Sequence, residues 1–384
     1  MQTFQVLMVG PTRVGKTSTL ASMSESLRTE VNKLQYHTTI PNELLATVTQ
    51  FKESVNQNEI VVKSLPLKKG TGDKTSYSID LISQNNERDI SVEFIDVPGG
   101  WYIPPTQERP NSNYQEVNNL LKNSVASLWC IDCVSMIEGK NDPEHDYHST
   151  RNEPKLITEL YKNIDVLSKK HRIIFVLMRA ETYLHDKSRG GEWLMNQFDE
   201  FYGQYIAEIK RRFPNGEIEI FVTYVETLGC FKFRSWQKAA ATNELEATYR
   251  KFADKYAPHN CEAPALLVID RSLQEALAFF KAKKEENLAY FKKKRKGIVG
   301  RNIGWFFRTV VVGCMGDPQE FFRVEDIYQN LVEGKPIPRD EYENEFEANP
   351  YLNAHLTFNR LKDAADKMVG LVDKKKTDNL VRFI

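Results

Sequence analysis

Cysteine is scarce in this chain, with 5 among 384 residues, scattered from Cys130 to Cys314. So thin a supply excludes a disulfide framework and fits a reducing compartment. Cys130 and Cys133 form a C-x-x-C, but an odd spacing on a strand sends the two thiols to opposite faces, which excludes a shared metal. His145 and His148 stand in a polar, acidic stretch with no further histidine or cysteine pair to complete a metal site. Long apolar runs are missing as well. The longest candidate, Ile298 to Met315, is broken by Arg301, Asn302 and Arg308, so no membrane-spanning helix is expected. Neither sign of charge is in excess: 52 Lys and Arg balance 52 Asp and Glu. A nucleic acid or a membrane would therefore have to be met by a local patch. The opening residues MQTFQVLMVG carry no basic segment before the first apolar run, so no secretory signal is expected and the expected compartment is the cytoplasm. No internal repeat or long low-complexity tract is found.

What is present is enough apolar material, 41% of the residues, for one large domain or two ordinary ones. Its most informative stretch is residues 4–18. Phe4 to Val9 suits a buried strand, and Gly10-Pro-Thr-Arg-Val-Gly15-Lys16-Thr17 follows it as an ungapped G-x-x-x-x-G-K-[ST]. Gly10 and Gly15 allow a tight turn whose N–H groups point inward, and a helix starting near Lys16 adds its positive end. Lys16 is placed to reach the β- and γ-phosphates and the Thr17 hydroxyl to bind magnesium.

Downstream, Leu20, Met23, Leu27, Val31 and Leu34 recur at helical spacing, as do Leu44, Val48, Phe51 and Val55. The break between them holds Thr38 and Thr39 in a loop that could reach the nucleotide. Residues 66–75 read as a surface loop. Tyr77, Ile79 and Leu81, then Ile90, Val92 and Phe94, alternate as a β-hairpin ending in Asp96-Val-Pro-Gly99-Gly100. Apolar strands are expected over 126–132, 173–178 and 218–224, with helices between them. The alternation from residue 4 to 229 predicts an α/β, mostly parallel sheet with ligands at the strands' carboxyl ends.

A phosphate loop, a hairpin and D-x-x-G in this order resemble the P-loop GTPases of the translation-factor class, the group that includes small GTPases. The resemblance covers residues 1–229. It implies that Asp96 holds magnesium, together with Thr17 and Thr39, and that the Gly99 N–H senses the γ-phosphate. It also implies that Gly10, Arg13, Val14, Gly15, Lys16, Thr17 and Ser18 line the nucleotide, and that Lys16, Thr39, Gly99 and Arg13 form the catalytic set. The mobile segment of the family falls on Trp101 to Asn113. Gly100 stands where small GTPases keep a water-orienting glutamine, which implies slow hydrolysis or a substitute such as Arg13 or Gln107. At the base end, Met178-Arg179-Ala180-Glu181 takes the place of N-K-x-D. There Arg179 is expected to stack on the purine and Glu181 to accept from guanine, with Thr227 and Gly229 in the adjoining loop. The chain also looks like the bacterial double-GTPase-like proteins linked to conflict and defence systems, which implies a protein partner from a multi-component system.

Beyond residue 229, residues 235–260 and 271–296 read as helices around a short strand at 265–269, with a further strand at 305–313. Residues 230–384 are expected to form a mainly helical accessory region. The alternative is that a helix at 324–332 closes the nucleotide domain, which makes 230–318 an insertion. Lysines and arginine from Lys281 to Lys296 make a local basic stretch for an anionic contact. The expected function is a GTP- and magnesium-dependent switch with slow hydrolysis. The alternatives are a binding module without turnover and a P-loop ATPase.

Overall fold

A computed structural model describes residues 2–11, 14–56, 61–63, 73–83, 88–107, 111–139, 152–164, 167–238, 245–299 and 350–384. The apolar runs become strands: β1 (Gln2–Val9), β2 (His37–Thr38), β3 (Val61–Lys63), β4 (Thr75–Ile82), β5 (Arg88–Asp96), β6 (Ala126–Asp132), β7 (His171–Met178), β8 (Ile218–Tyr224), β9 (Phe231–Lys238), β10 (Leu245–Lys251) and β11 (Val381–Phe383). Eight of them form one sheet in the order β11-β8-β7-β6-β1-β5-β4-β2. β5, β1, β6, β7 and β8 run parallel, and β2, β4 and β11 are antiparallel to their neighbours. This is the expected α/β fold with a mostly parallel sheet. β3, β10 and β9 form a separate antiparallel sheet.

Helices α1 (Lys16–Lys33), α2 (Asn42–Asn56), α3 (Tyr114–Asn123), α4 (Cys133–Glu138), α5 (Lys155–Lys162), α6 (Glu181–Leu184), α7 (Gly191–Arg212), α8 (Glu262–Val299) and α9 (Pro350–Thr377) complete the described elements. β6 and β7 are buried along their whole length, the signature of parallel strands covered on both faces. Alternation then sorts β1: Leu7 and Val9 join a core with Ile95, Trp129, Phe175, Leu177 and Phe198, while Val6 and Met8 are buried on the other face. The helical stripe Leu20, Met23, Leu27 and Val31 is fully buried, as its spacing predicts.

Three expectations change beyond residue 229. The helix read at 235–260 is instead β9 and β10, a paired hairpin in which Phe231 and Phe233 alternate with Lys232 and Arg234. The strand read at 265–269 lies inside α8. Ala265 to Ile269 are at most 2% exposed, so no polar face interrupts the run and its helical period is hidden. The domain break is not at 229. The chain divides into a unit of Met1–Ser272 with Lys367–Ile384 and a unit of Leu273–Asp366. β11 pairs with β8, and the Thr223 hydroxyl donates to the Leu380 carbonyl at 2.7 Å, so the end of the chain closes the sheet edge. In the second unit the described residues are helical. The expected elements at 305–313 and 324–332 lie outside the described residues, as do His145 and His148.

Between β6 and β7 a polar cluster is sealed in the core. His171 is fully buried; its Nδ1 lies 2.9 Å from the Ser124 carbonyl, and its Nε2 lies 3.0 Å from the Tyr161 hydroxyl and 3.1 Å from Ser127 Oγ. Only Nδ1–H can donate to that carbonyl, which leaves Nε2 as acceptor. Burial lowers its pKa from 6.5 to about 4. As pH falls through 6.5 the unfolded chain takes up a proton that the folded chain refuses until about pH 4, so stability declines across that window. The full loss is about 3 kcal/mol. It is to be read as the difference in pH dependence of unfolding between wild type and His171→Gln, because Glu181 and Asp89, both raised to about 7 by burial, contribute with the opposite sign. Parallel profiles from pH 7.5 to 4 would show that His171 titrates normally.

Candidate nucleotide-binding site

β1 lies between β5 and β6, which sets Met8 beside Asp96 and Val9 beside Trp129. The next residue, Gly10, then passes so close to β6 that a Cβ would sit 2.7 Å from the Cys130 carbonyl oxygen. A larger residue does not fit there. Gly15 is left-handed, with φ +101°, and caps α1 without a side-chain bond. The first-turn N–H groups of this 18-residue helix are therefore available to an anion. Val14 is buried and Ser18 half-buried beside them; Arg13 lies outside the described residues.

Lys16, Thr17 and Asp96 meet at this turn. The Lys16 ammonium donates to the Gly10 carbonyl at 3.2 Å and stands 3.7 Å from Asp96 Oδ1, while the Thr17 hydroxyl donates to Asp96 Oδ2 at 2.8 Å. Burial raises the Asp96 pKa above the ordinary carboxyl value, against the opposing pull of Lys16 and Thr17. Asp96 Oδ1 is buried and accepts no hydrogen bond. An orphaned carboxylate oxygen beside a threonine hydroxyl fits magnesium, which takes oxygen ligands and keeps several waters. Among the described residues no group of three or more His, Cys, Asp or Glu side chains can hold a metal. The remaining ligands would thus be water and phosphate.

Thr39 is not brought to this pair. Its N–H donates to the Asp80 carbonyl at 3.3 Å and its hydroxyl accepts from the Asp80 N–H at 3.2 Å, which continues the edge pairing of β2 with β4. Gly99 is buried directly after β5, and Gly100 is exposed, with nothing within 4 Å of a Cβ added there. The segment that follows has local order that its prolines do not suggest. Asn111 Nδ2 donates to the carbonyls of Gly100 at 3.0 Å, Trp101 at 3.0 Å and Ile103 at 2.6 Å, and Tyr102 is buried edge-on to Trp129. Gln107 is exposed.

At the base end, Arg179 follows β7 with φ +59°, a left-handed conformation that is uncommon for a residue carrying a Cβ and that clusters at functional sites. Its guanidinium bonds Asp132 Oδ2 at 3.0 Å and lies 5.5 Å from the Tyr249 ring centre. Asp132 is the node that sequence reasoning missed. It ends β6, caps α4 through the Val134 N–H at 3.1 Å, and accepts from Ser135 Oγ at 2.8 Å. A carboxylate between an apolar strand and a helix was a legible cap signal. Glu181 is buried, and its Oε1 accepts from the Leu228 and Gly229 N–H groups, each at 3.3 Å. Burial, then the neighbouring Glu226, push its pKa up to about 7. Thr227 does join the site: its hydroxyl is 3.2 Å from Thr19 Oγ1, and its carbonyl accepts from Ser22 at 3.0 Å, so α1 holds the base-end loop. The C-x-x-C thiols are both buried, Cys130 raised to about 12, which leaves neither reactive. The basic stretch 281–296 runs along α8, and the side chains of residue 284 and of residues 286 onward lie outside the described residues.

No family model matches the chain, and no curated protein matches it. Among solved structures, it is similar to a variant of Era from Aquifex aeolicus bound to GDP.AlF4-, at 16% identity over 54% of this chain and 49% of that one, with a TM-score of 0.27. It is similar to the GTPase-like domain of S. cerevisiae Ski7 bound to GTP, at 16% identity over 58% and 43%, with a TM-score of 0.34. A third is Era in complex with MgGDPNP and nucleotides 1506–1542 of 16S ribosomal RNA, at 17% identity over 58% and 51%, with a TM-score of 0.28. The chain spans about half the length of these structures. Each is a likeness of fold and assigns no ligand to this chain. Among the described residues no helix is long and apolar enough to cross a membrane.

Proposed function

We propose that this chain binds GTP with magnesium on the loop Gly10–Ser18, hydrolyses it slowly, and presents its nucleotide state to a protein partner. The observation that carries this reading is the Lys16–Asp96–Thr17 constellation at the start of α1, with one buried Asp96 oxygen left without a donor. On binding, Lys16 exchanges the Gly10 carbonyl and the Asp96 carboxylate for phosphate oxygens. The α1 N-terminus and the loop N–H groups hold the rest of the polyphosphate. Thr17 and Asp96 are the residues that would hold magnesium, which supplies charge neutralisation on the β- and γ-phosphates. For Thr39 to reach the metal, its two bonds to Asp80 must open, so closure of that segment is a step distinct from binding.

Gly99 places its N–H beside the γ-phosphate in this reading, and Gly100 offers no side chain to orient water. Turnover is then on the order of 10⁻² per second or slower. An ATPase or a module without turnover is separated from this reading by which nucleotide the purified protein releases on denaturation and by phosphate release. Asp96→Ala is expected to weaken GTP binding tenfold or more with magnesium present and to change it less than about threefold in EDTA, since its role runs through the metal. Calorimetry showing equal losses in both buffers would make Asp96 a structural residue.

A further inference from the structure

The base-end loop is fixed residue by residue from four directions. Glu226 is 5% exposed and shared between His185 Nε2 at 2.6 Å and His259 Nδ1 at 3.2 Å. Thr227 is tied to α1 as described. The Leu228 carbonyl accepts from the Ala257 N–H at 3.0 Å. Gly229, at φ +65°, passes the Ala257 carbonyl so closely that a Cβ would sit 1.8 Å from that oxygen. The N–H groups of Leu228 and Gly229 go to Glu181.

Reading guanine would ask two things of this carboxylate: both oxygens open to the base edge, and a negative charge to meet two donors. Glu181 does not meet the first condition. It is 6% exposed, and one oxygen is engaged by two backbone donors from a loop that is otherwise immobilised. We propose that Glu181 is a positioning residue that latches the 226–229 loop, and that it acts on bound purines only through that loop. Its elevated pKa agrees, because a carboxyl that is partly protonated at neutral pH still accepts N–H bonds through its carbonyl oxygen. The inference rests on the nucleotide reading above for its ligand, and on the Leu228 and Gly229 bonds alone for its latch.

The two parts are separable by experiment. Full-length wild type, Glu181→Gln and Glu181→Ala are compared for binding of magnesium GTP and magnesium ATP, and for amide hydrogen exchange at Leu228 and Gly229 without nucleotide. Glutamine keeps the acceptor and removes the charge. It is expected to hold both affinities within about threefold of wild type and to keep both amides protected. Alanine removes the acceptor; both affinities should fall by a similar factor, roughly tenfold, with exchange at the two amides at least about tenfold faster while β6 and β7 stay protected. Selective loss of GTP affinity by tenfold or more in Glu181→Gln would overturn the latch and make the carboxylate a direct reader. So would unchanged exchange in Glu181→Ala. If Glu181→Ala fails to fold, Glu181→Gln decides alone. A wild type that binds neither nucleotide defeats the proposed function, and the exchange measurement still decides the latch.

Discussion

Lys16→Ala is expected to lower magnesium triphosphate affinity by roughly 30- to 4,000-fold, the equivalent of about 2–5 kcal/mol for truncating one member of a buried charge pair. The ammonium is 8% exposed and already seated between the Gly10 carbonyl and Asp96, so little ordering is needed when phosphate replaces them. Its loss acts twice. The phosphates lose a charge-assisted donor inside the loop, and Asp96 loses the cation that opposes its burial. The second effect pushes the Asp96 pKa further up, so that protons compete more strongly with a metal for its carboxylate. Lys16→Arg separates the two, since it keeps the charge but not the compact shape that fits under the turn. Its affinity should fall between wild type and alanine. Titration calorimetry that finds Lys16→Ala within threefold of wild type would remove the phosphate-binding reading altogether.

The Gly10–Thr17 end of the candidate site was legible in the sequence as an arrangement because its geometry is local. Gly10, Gly15, Lys16 and Thr17 lie within one turn, and Asp96 arrives through a hairpin and a parallel strand whose alternation and apolar runs are both plain. The base end was not, because its partners come from far along the chain. Glu181 meets a loop 47 positions away and Arg179 meets Asp132 across the same separation. No spacing rule records such pairs. Thr39 illustrates a third case: a loop threonine near a phosphate loop looks available until the edge strand takes both of its polar groups. The start of α8 failed for the opposite reason, since complete burial erased the period that marks a helix, and β11, with 3 residues, is too short to signal anything. Its pairing with β8 is a tertiary choice.

Arg172→Met is expected to destabilise the folded protein by about 3–5 kcal/mol, the usual result of removing one member of a buried ion group. Arg172 is the second residue of the parallel strand β7 and is 3% exposed. Its NH1 donates to Asp270 Oδ2 and to the Leu267 carbonyl, each at 2.7 Å; Nε and NH2 donate to Glu219 Oε2 at 3.0 and 2.7 Å. Its guanidinium also lies 4.8 Å from the Phe221 ring centre. Burial pushes the Glu219 pKa up, but Arg172 and Lys170 more than reverse this and hold it below the ordinary value. One side chain thus joins β7, β8 and the first turns of α8. Methionine fills a similar space but leaves Asp270, 4% exposed, without the guanidinium. The double variant Arg172→Met with Asp270→Leu should recover most of the loss, because replacing a buried ion pair on both sides is close to neutral. Denaturant unfolding of the single variant with a loss under about 1 kcal/mol would place the group with solvated surface pairs. The same variant also tests how independent the two ends of the sheet are. Arg172 sits at the amino end of β7, and Met178, which approaches Gly15, sits at the carboxyl end. At a temperature where the single variant is still folded, its nucleotide affinity should therefore match wild type within about threefold, because the pairing of β1 with β5 and β6 fixes the position of the loop after Val9 without help from the buried ions.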